Sequence, residues 1–195
     1  MLDIETLATT VDAVICSIGA VDVYGNDTFY EEIDPGSQWN RRSSEETLSW
    51  WDSIGKTPPG RHSDPNLDDV LNRFTSWYNK HKFTEVWCNG SDFDFVILTD
   101  AYRKSLHNSD PENKKTPWEY NHVRDLRTLR KVLPHIKSTV HYANHNALVD
   151  AICQSVHLKE LLNEANRIKT TSQFAYYGQA GGIQPSSILG STTTN

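Results

Sequence analysis

Residues 13–23, Ala-Val-Ile-Cys-Ser-Ile-Gly-Ala-Val-Asp-Val, carry the strongest folding constraint in the sequence. A run of small and β-branched apolar residues is the pattern of a buried strand. Tyr24-Gly25-Asn26-Asp27 then supplies a turn, and 28–33 reads as the returning strand. A hairpin buried along its first strand commits the chain to a sheet that helices must cover. Those helices are legible downstream. Ser43 with Glu46 reads as a capping box for a helix over 44–54. Leu67, Val70, Leu71, Phe74, Trp77 and Tyr78 repeat at helical spacing and predict an amphipathic helix over 66–80.

A short strand over 85–88 ends at Asn89-Gly90, and a helix over 92–106 leads to a polar loop at 107–117. Tyr120 to Val123 reads as a last strand, followed by a helix near 125–132 and a final helix over 145–167. The order predicts an α/β fold with one mixed central sheet flanked by helices. At 195 residues the chain suits one domain. That domain is expected over 1–169, with 170–195, rich in Thr, Ser and Gly, as a low-complexity, disordered tail.

Composition narrows the function. Lys and Arg number 19 against 25 Asp and Glu, a net charge of −6, which excludes a protein that coats nucleic acid nonspecifically. It does not exclude an enzyme that holds cations. Three cysteines, at 16, 88 and 153, are too few and too scattered for a disulfide framework, and imply a reduced, cytoplasmic protein. No apolar run is long enough for a membrane span, and the N-terminus lacks the pattern of a signal peptide.

Three places concentrate acids. Asp3-Ile4-Glu5 on a strand points both carboxylates to one face. Asn89-Gly90-Ser91-Asp92-Phe93-Asp94 lies where a strand enters a helix, with Asp92 and Asp94 as candidates. Asp150 sits among apolar neighbours in the last long helix, five residues after His145. Five residues is about 140° around a helix, so the two converge only if His145 precedes it, with Asn144 or Asn146 as cap. Hard carboxylate oxygens from three elements suit Mg²⁺ or Mn²⁺. Each acid alone has an ordinary explanation, as a solvated strand end, a helix cap or an exposed helix residue.

In combination the motifs Leu2-Asp3-Ile4-Glu5-Thr6, Asn89-Gly90-x-x-Phe93-Asp94 and His145-Asn-Ala147-Leu-x-Asp150-Ala151 closely resemble the DEDD exonuclease superfamily in its histidine-containing, DnaQ-like (DEDDh) branch. Within it, Leu-Ser-Trp50-Trp51, Trp87-x-Asn89-Gly90, Arg127-Thr128-Leu129 and Asp150-Ala151-Ile152-x-Gln154 resemble the phage DexA-like and mycobacterial exoribonuclease-like group. The resemblance implies a ribonuclease H-like fold and a metal-dependent 3'-5' exonuclease. Such an enzyme releases nucleoside monophosphates from single-stranded or 3'-overhanging RNA or DNA.

By the same resemblance Asp3, Glu5, Asp94 and Asp150 hold two Mg²⁺ or Mn²⁺ ions, and His145 is the general base. The tyrosine branch would need Tyr where Asn146 stands. Only Met1 and Leu2 precede Asp3, and a first strand that short is expected to loosen Asp3. With those four acids assigned to cations, the rest nearly balance the basic residues. The rival function is a catalytically inactive nucleic-acid-binding domain on the same fold.

Of the adjacent Trp50 and Trp51, one joins the core and the other is available to stack on a base. Asn89 and Arg127 are further substrate-contact candidates, Arg127 within the dense basic stretch Arg124 to Lys131, whose ordinary role is a solvated face. RNA and DNA are not distinguished by any residue here. The aromatic surplus permits a homodimer and does not require one.

Overall fold

The computed structural model describes residues 1–25, 27–105, 116–140 and 145–180, the last ten as helical backbone only. Three antiparallel strands, β1 (Leu2–Thr6), β2 (Ile15–Val21) and β3 (Thr28–Glu32), form one sheet in that order. The hairpin read from the sequence is β2 with β3, paired from Ser17 opposite Glu32 to Val21 opposite Thr28. Every residue of β2 is buried, Ser17 among its otherwise small and apolar side chains. The turn at Asn26 lies outside the described residues.

The expected single mixed sheet is instead two hydrogen-bonded pieces. β4 (Val86–Cys88) and β5 (Val123–Asp125) form a separate parallel pair. β4 lies beside β1 without a ladder to it. One reason is local: the Ile4 amide donates to Asp94 Oδ1 at 3.2 Å rather than to a strand carbonyl. The strand expected at Tyr120–Val123 also shifts. Tyr120–His122 forms a 3-10 turn, and pairing with β4 begins at Val123.

Helices cover the sheet from both sides. α1 (Glu45–Ser53), α2 (Leu67–His81) and α3 (Asp94–Lys104) follow β3 and β4, and α4 (Leu126–Val132) and α5 (Ala147–Ala180) complete the order. Ile4, Ile18 and Phe29 of the sheet pack with Val70, Phe74 and Tyr78 of α2 and with Leu98 of α3. Val21 packs with Leu126 of α4 and with Ala151, Leu158 and Leu161 of α5 in a second cluster.

The cap of α1 is Ser44 and not Ser43. Ser44 is extended, its own amide donates to the Leu7 carbonyl, and its hydroxyl accepts from the Thr47 amide at 3.1 Å. α5 runs beyond the expected 167 to Ala180, so the backbone of 170–180 is helical, while 181–195 lie outside the described residues. Most of the expected loop at 107–117 is also outside them. No helix among the described residues is long and apolar enough to cross a membrane.

Candidate active site

Alternation along β1 sends Leu2 and Ile4 into the α2–α3 core and leaves Asp3 and Glu5 on the face that α5 covers. What lets α5 come so close is Gly19, the β2 partner of Asp3. A Cβ there would lie 2.2 Å from the Ala147 carbonyl carbon and the Leu148 nitrogen. Ala147 and Ala151, one turn apart and fully buried, continue the same close approach.

The start of α5 is set by its own residues. Asn146 Oδ1 accepts from the Val149 amide at 3.0 Å, a side-chain cap. His145 before it takes a left-handed conformation, φ 52°, and its amide donates to Asp150 Oδ2 at 2.9 Å. The convergence that the five-residue spacing forbids within a helix is therefore achieved by placing His145 in the preceding turn. Of the two capping candidates Asn146 serves, and Asn144 lies outside the described residues.

Glu5, His145 and Asp150 each offer one ligand atom, and these atoms lie within 4.8 Å of one another. Glu5 is 8% exposed, Asp94 4% and Asp150 4%. Asp94 is the first residue of α3, with its carboxylate turned back to the Ile4 amide of β1. Asp3 accepts from Gln154 Nε2 at 2.9 Å. Gln154 follows Asp150 by one helical turn, so the two share a face. The motif Asp150-Ala151-Ile152-x-Gln154 holds Gln154 without giving it a role at the site.

Electrostatics marks the same cluster. Burial, with Asp94, Glu5 and Asp150 nearby, holds the Asp3 carboxyl well above the usual range, against the Gln154 hydrogen bond. Burial, then Asp150 and Asp94, pushes Glu5 up to about 8, with Lys56 opposing. Asp94 is raised by burial, while the Ile4 amide, its own amide, the Cys88 thiol and Arg127 pull it back. Asp3, Glu5 and Asp94, all raised by burial, would ionise together more readily beside added positive charge, which divalent cations supply. The donor set, carboxylate oxygens and one imidazole, fits such ions.

The two tryptophans divide as expected. Trp51 is 1% exposed and its indole donates to the Thr6 carbonyl at 3.1 Å. Trp50 is 40% exposed, with its ring edge-on to Trp51 at 5.1 Å and to His145 at 4.8 Å. It borders an open cleft of about 410 Å³ that Glu5, Thr47 and Phe93 also line. Arg127 is exposed, donates to the Asn89 carbonyl at 3.0 Å and crosses over Gly90. Gly90 has φ 133°, and a Cβ there would meet the guanidinium at 2.9 Å. Asn89 is half-buried beside it, and Asp92, the discarded candidate, is exposed.

Comparison with known proteins gives the chain's relatives. The family model described as a 3'-5' exoribonuclease Rv2179c-like domain matches residues 1–162, a span that holds all four acids and His145. The chain is also similar to a protein of Enterobacteria phage T4 named exodeoxyribonuclease, 25% identical over 157 residues that cover 66% of this chain and 68% of the phage protein.

Proposed function

The chain belongs to the 3'-5' exoribonuclease Rv2179c-like domain family, and on that premise we propose that it is a two-metal 3'-5' exonuclease on a ribonuclease H-like fold. Its substrate is single-stranded or 3'-overhanging nucleic acid, and its products are nucleoside monophosphates. The observation that carries this reading is the meeting of Glu5, His145 and Asp150 within 4.8 Å. Asp94 lies close enough to raise the carboxyls of both Asp3 and Glu5.

Asp3, Glu5, Asp94 and Asp150 would hold the ions. Mg²⁺ or Mn²⁺, when bound, supplies positive charge at the scissile phosphate and makes water a better nucleophile there. His145 takes the proton of the attacking water on a ring nitrogen, as a general base within reach of the site where that water would be held. Trp50 fixes the orientation of that ring and offers its exposed face to a terminal base. Water oxygen bonds to phosphorus, the bond from phosphorus to the leaving 3' oxygen breaks, and that oxygen takes a proton from solvent. The three cysteines are free, which suits a reducing, cytoplasmic setting.

The printed names of the family and of the phage protein differ in the sugar they specify, so the test uses both. Matched 5'-labelled RNA and DNA single strands are incubated with Mn²⁺ or with EDTA. The proposal expects a ladder that shortens from the 3' end with Mn²⁺, for at least one sugar, and its loss in Asp150→Asn. Binding of either strand without metal-dependent shortening would favour an inactive nucleic-acid-binding domain.

A further inference from the structure

Arg127, Arg130 and Lys131 of α4, together with Lys137 from the segment before α5, line an open groove of about 550 Å³. Its other walls are Pro134, Ile136, Ser138 and His157, so no lining residue is acidic. In a chain of net charge −6 that is an unusual local balance. The acids close by are turned to other partners. Asp125 accepts from the Arg127 and Thr128 amides at the start of α4. Glu164 pairs with His135 and Arg167, and Glu160 accepts from Thr139.

Arg127 ties the groove to the loop that leads into Asp94: it lines the groove, and its guanidinium donates to the Asn89 carbonyl at 3.0 Å, five residues before Asp94. The cleft at Trp50, by contrast, has no basic residue in its lining and is bordered by Glu46. A substrate strand leaving the cluster past Arg127 thus meets a channel whose lining is basic and holds no acid.

We propose that the groove over α4 carries the sugar-phosphate backbone of the substrate strand on the 5' side of the scissile bond. The inference rests on the exonuclease reading and gives the strand a path. Arg130, Lys131 and Lys137 act there as binding residues by charge, without reading sequence.

The test is equilibrium binding of the full chain to 5'-fluorescent single strands of 3 and 12 nucleotides with hydrolysis-resistant phosphorothioate linkages, read by anisotropy over a salt series. Arg130→Gln/Lys131→Gln/Lys137→Gln is expected to bind the 12-mer about tenfold or more weakly. Its log–log salt slope falls in magnitude by about 2, from the value of roughly 0.7 per phosphate contact on single strands. The 3-mer loses much less. An unchanged 12-mer affinity and slope, or equal losses for the two lengths, would overturn the proposal, as would a wild type that does not bind the 12-mer.

Should the triple variant not fold, Lys131→Glu and Lys137→Glu at exposed positions give the same comparison. A wild type that binds the 12-mer with the expected length dependence, yet never shortens the unmodified strand with Mn²⁺, sinks the exonuclease reading alone.

Discussion

Gln154 Nε2 donates to Asp3 Oδ1 at 2.9 Å, tying the last helix to the first strand across 151 positions of sequence. One turn of α5 thus carries both an acid of the cluster, Asp150, and the amide that orients another. The short first strand does not leave Asp3 loose: it is paired with Gly19 on one side and held by Gln154 at its carboxylate.

Removing that amide should weaken metal loading more than folding. Gln154→Ala is expected to raise the Mn²⁺ concentration for half-maximal activity by about 10- to 100-fold, the usual effect of losing a group that orients a ligand. A Mn²⁺ titration of the initial rate checks this, with the melting temperature as control.

Gly19 tests the close approach of α5. Gly19→Ala places a methyl group 2.2 Å from the backbone of Ala147, so the helix must move. A loss of about 1–3 kcal/mol in denaturant unfolding is expected for such overpacking. Activity should fall as well, because Asp150 and His145 move with the start of the helix.

The acid cluster should give the metal-free protein an inverted pH response. Glu5 rises from an ordinary 4.5 to about 8 on folding, so the folded state holds its proton more tightly than the unfolded chain. Stability from this group is full below 4.5 and lost as pH rises toward 8. In EDTA the melting temperature of Glu5→Gln should therefore fall less between pH 5 and 8 than that of the wild type. Mn²⁺ should raise the wild-type melting temperature more at pH 8 than at pH 5, where protons compete for the carboxylates. Thermal melts at the two pH values check both.

The tryptophan pair separates binding from folding. Trp50→Ala should weaken single-strand binding by about 5- to 150-fold, from roughly 1–3 kcal/mol per stacked base, with little change in melting. Trp51→Ala should destabilise the protein by about 3–5 kcal/mol, since it empties a fully buried site. Anisotropy and denaturant unfolding on both variants distinguish them.

The sequence made the hairpin readable because Ile15 to Val21 is small and apolar apart from Ser17, and a strand of that kind has few alternatives. Asp3, Glu5, Asp94 and Asp150 came together as a set only through the resemblance of their motifs, whereas the roughly 140° between His145 and Asp150 required a turn before the helix, where His145 lies. Other features depend on contacts distant in sequence. Nothing local distinguishes Ser44 from Ser43 as a cap until the Ser44 amide meets Leu7. The Ile4 amide, on the strand beside β4, goes to Asp94, 90 positions away, and not to a strand carbonyl. The need for glycine at position 19 is visible only once α5 lies against β2.

The central claim is that acids from β1, α3 and α5 form one divalent-metal centre. A calorimetric Mn²⁺ titration of the metal-stripped full chain at pH 7.5, beside Asp3→Asn/Asp150→Asn, tests it most directly. The account predicts saturable binding to the wild type, up to two ions per chain, with proton release, and loss of that binding in the double variant. Equal Mn²⁺ binding by the two proteins, or none by the wild type, would contradict it.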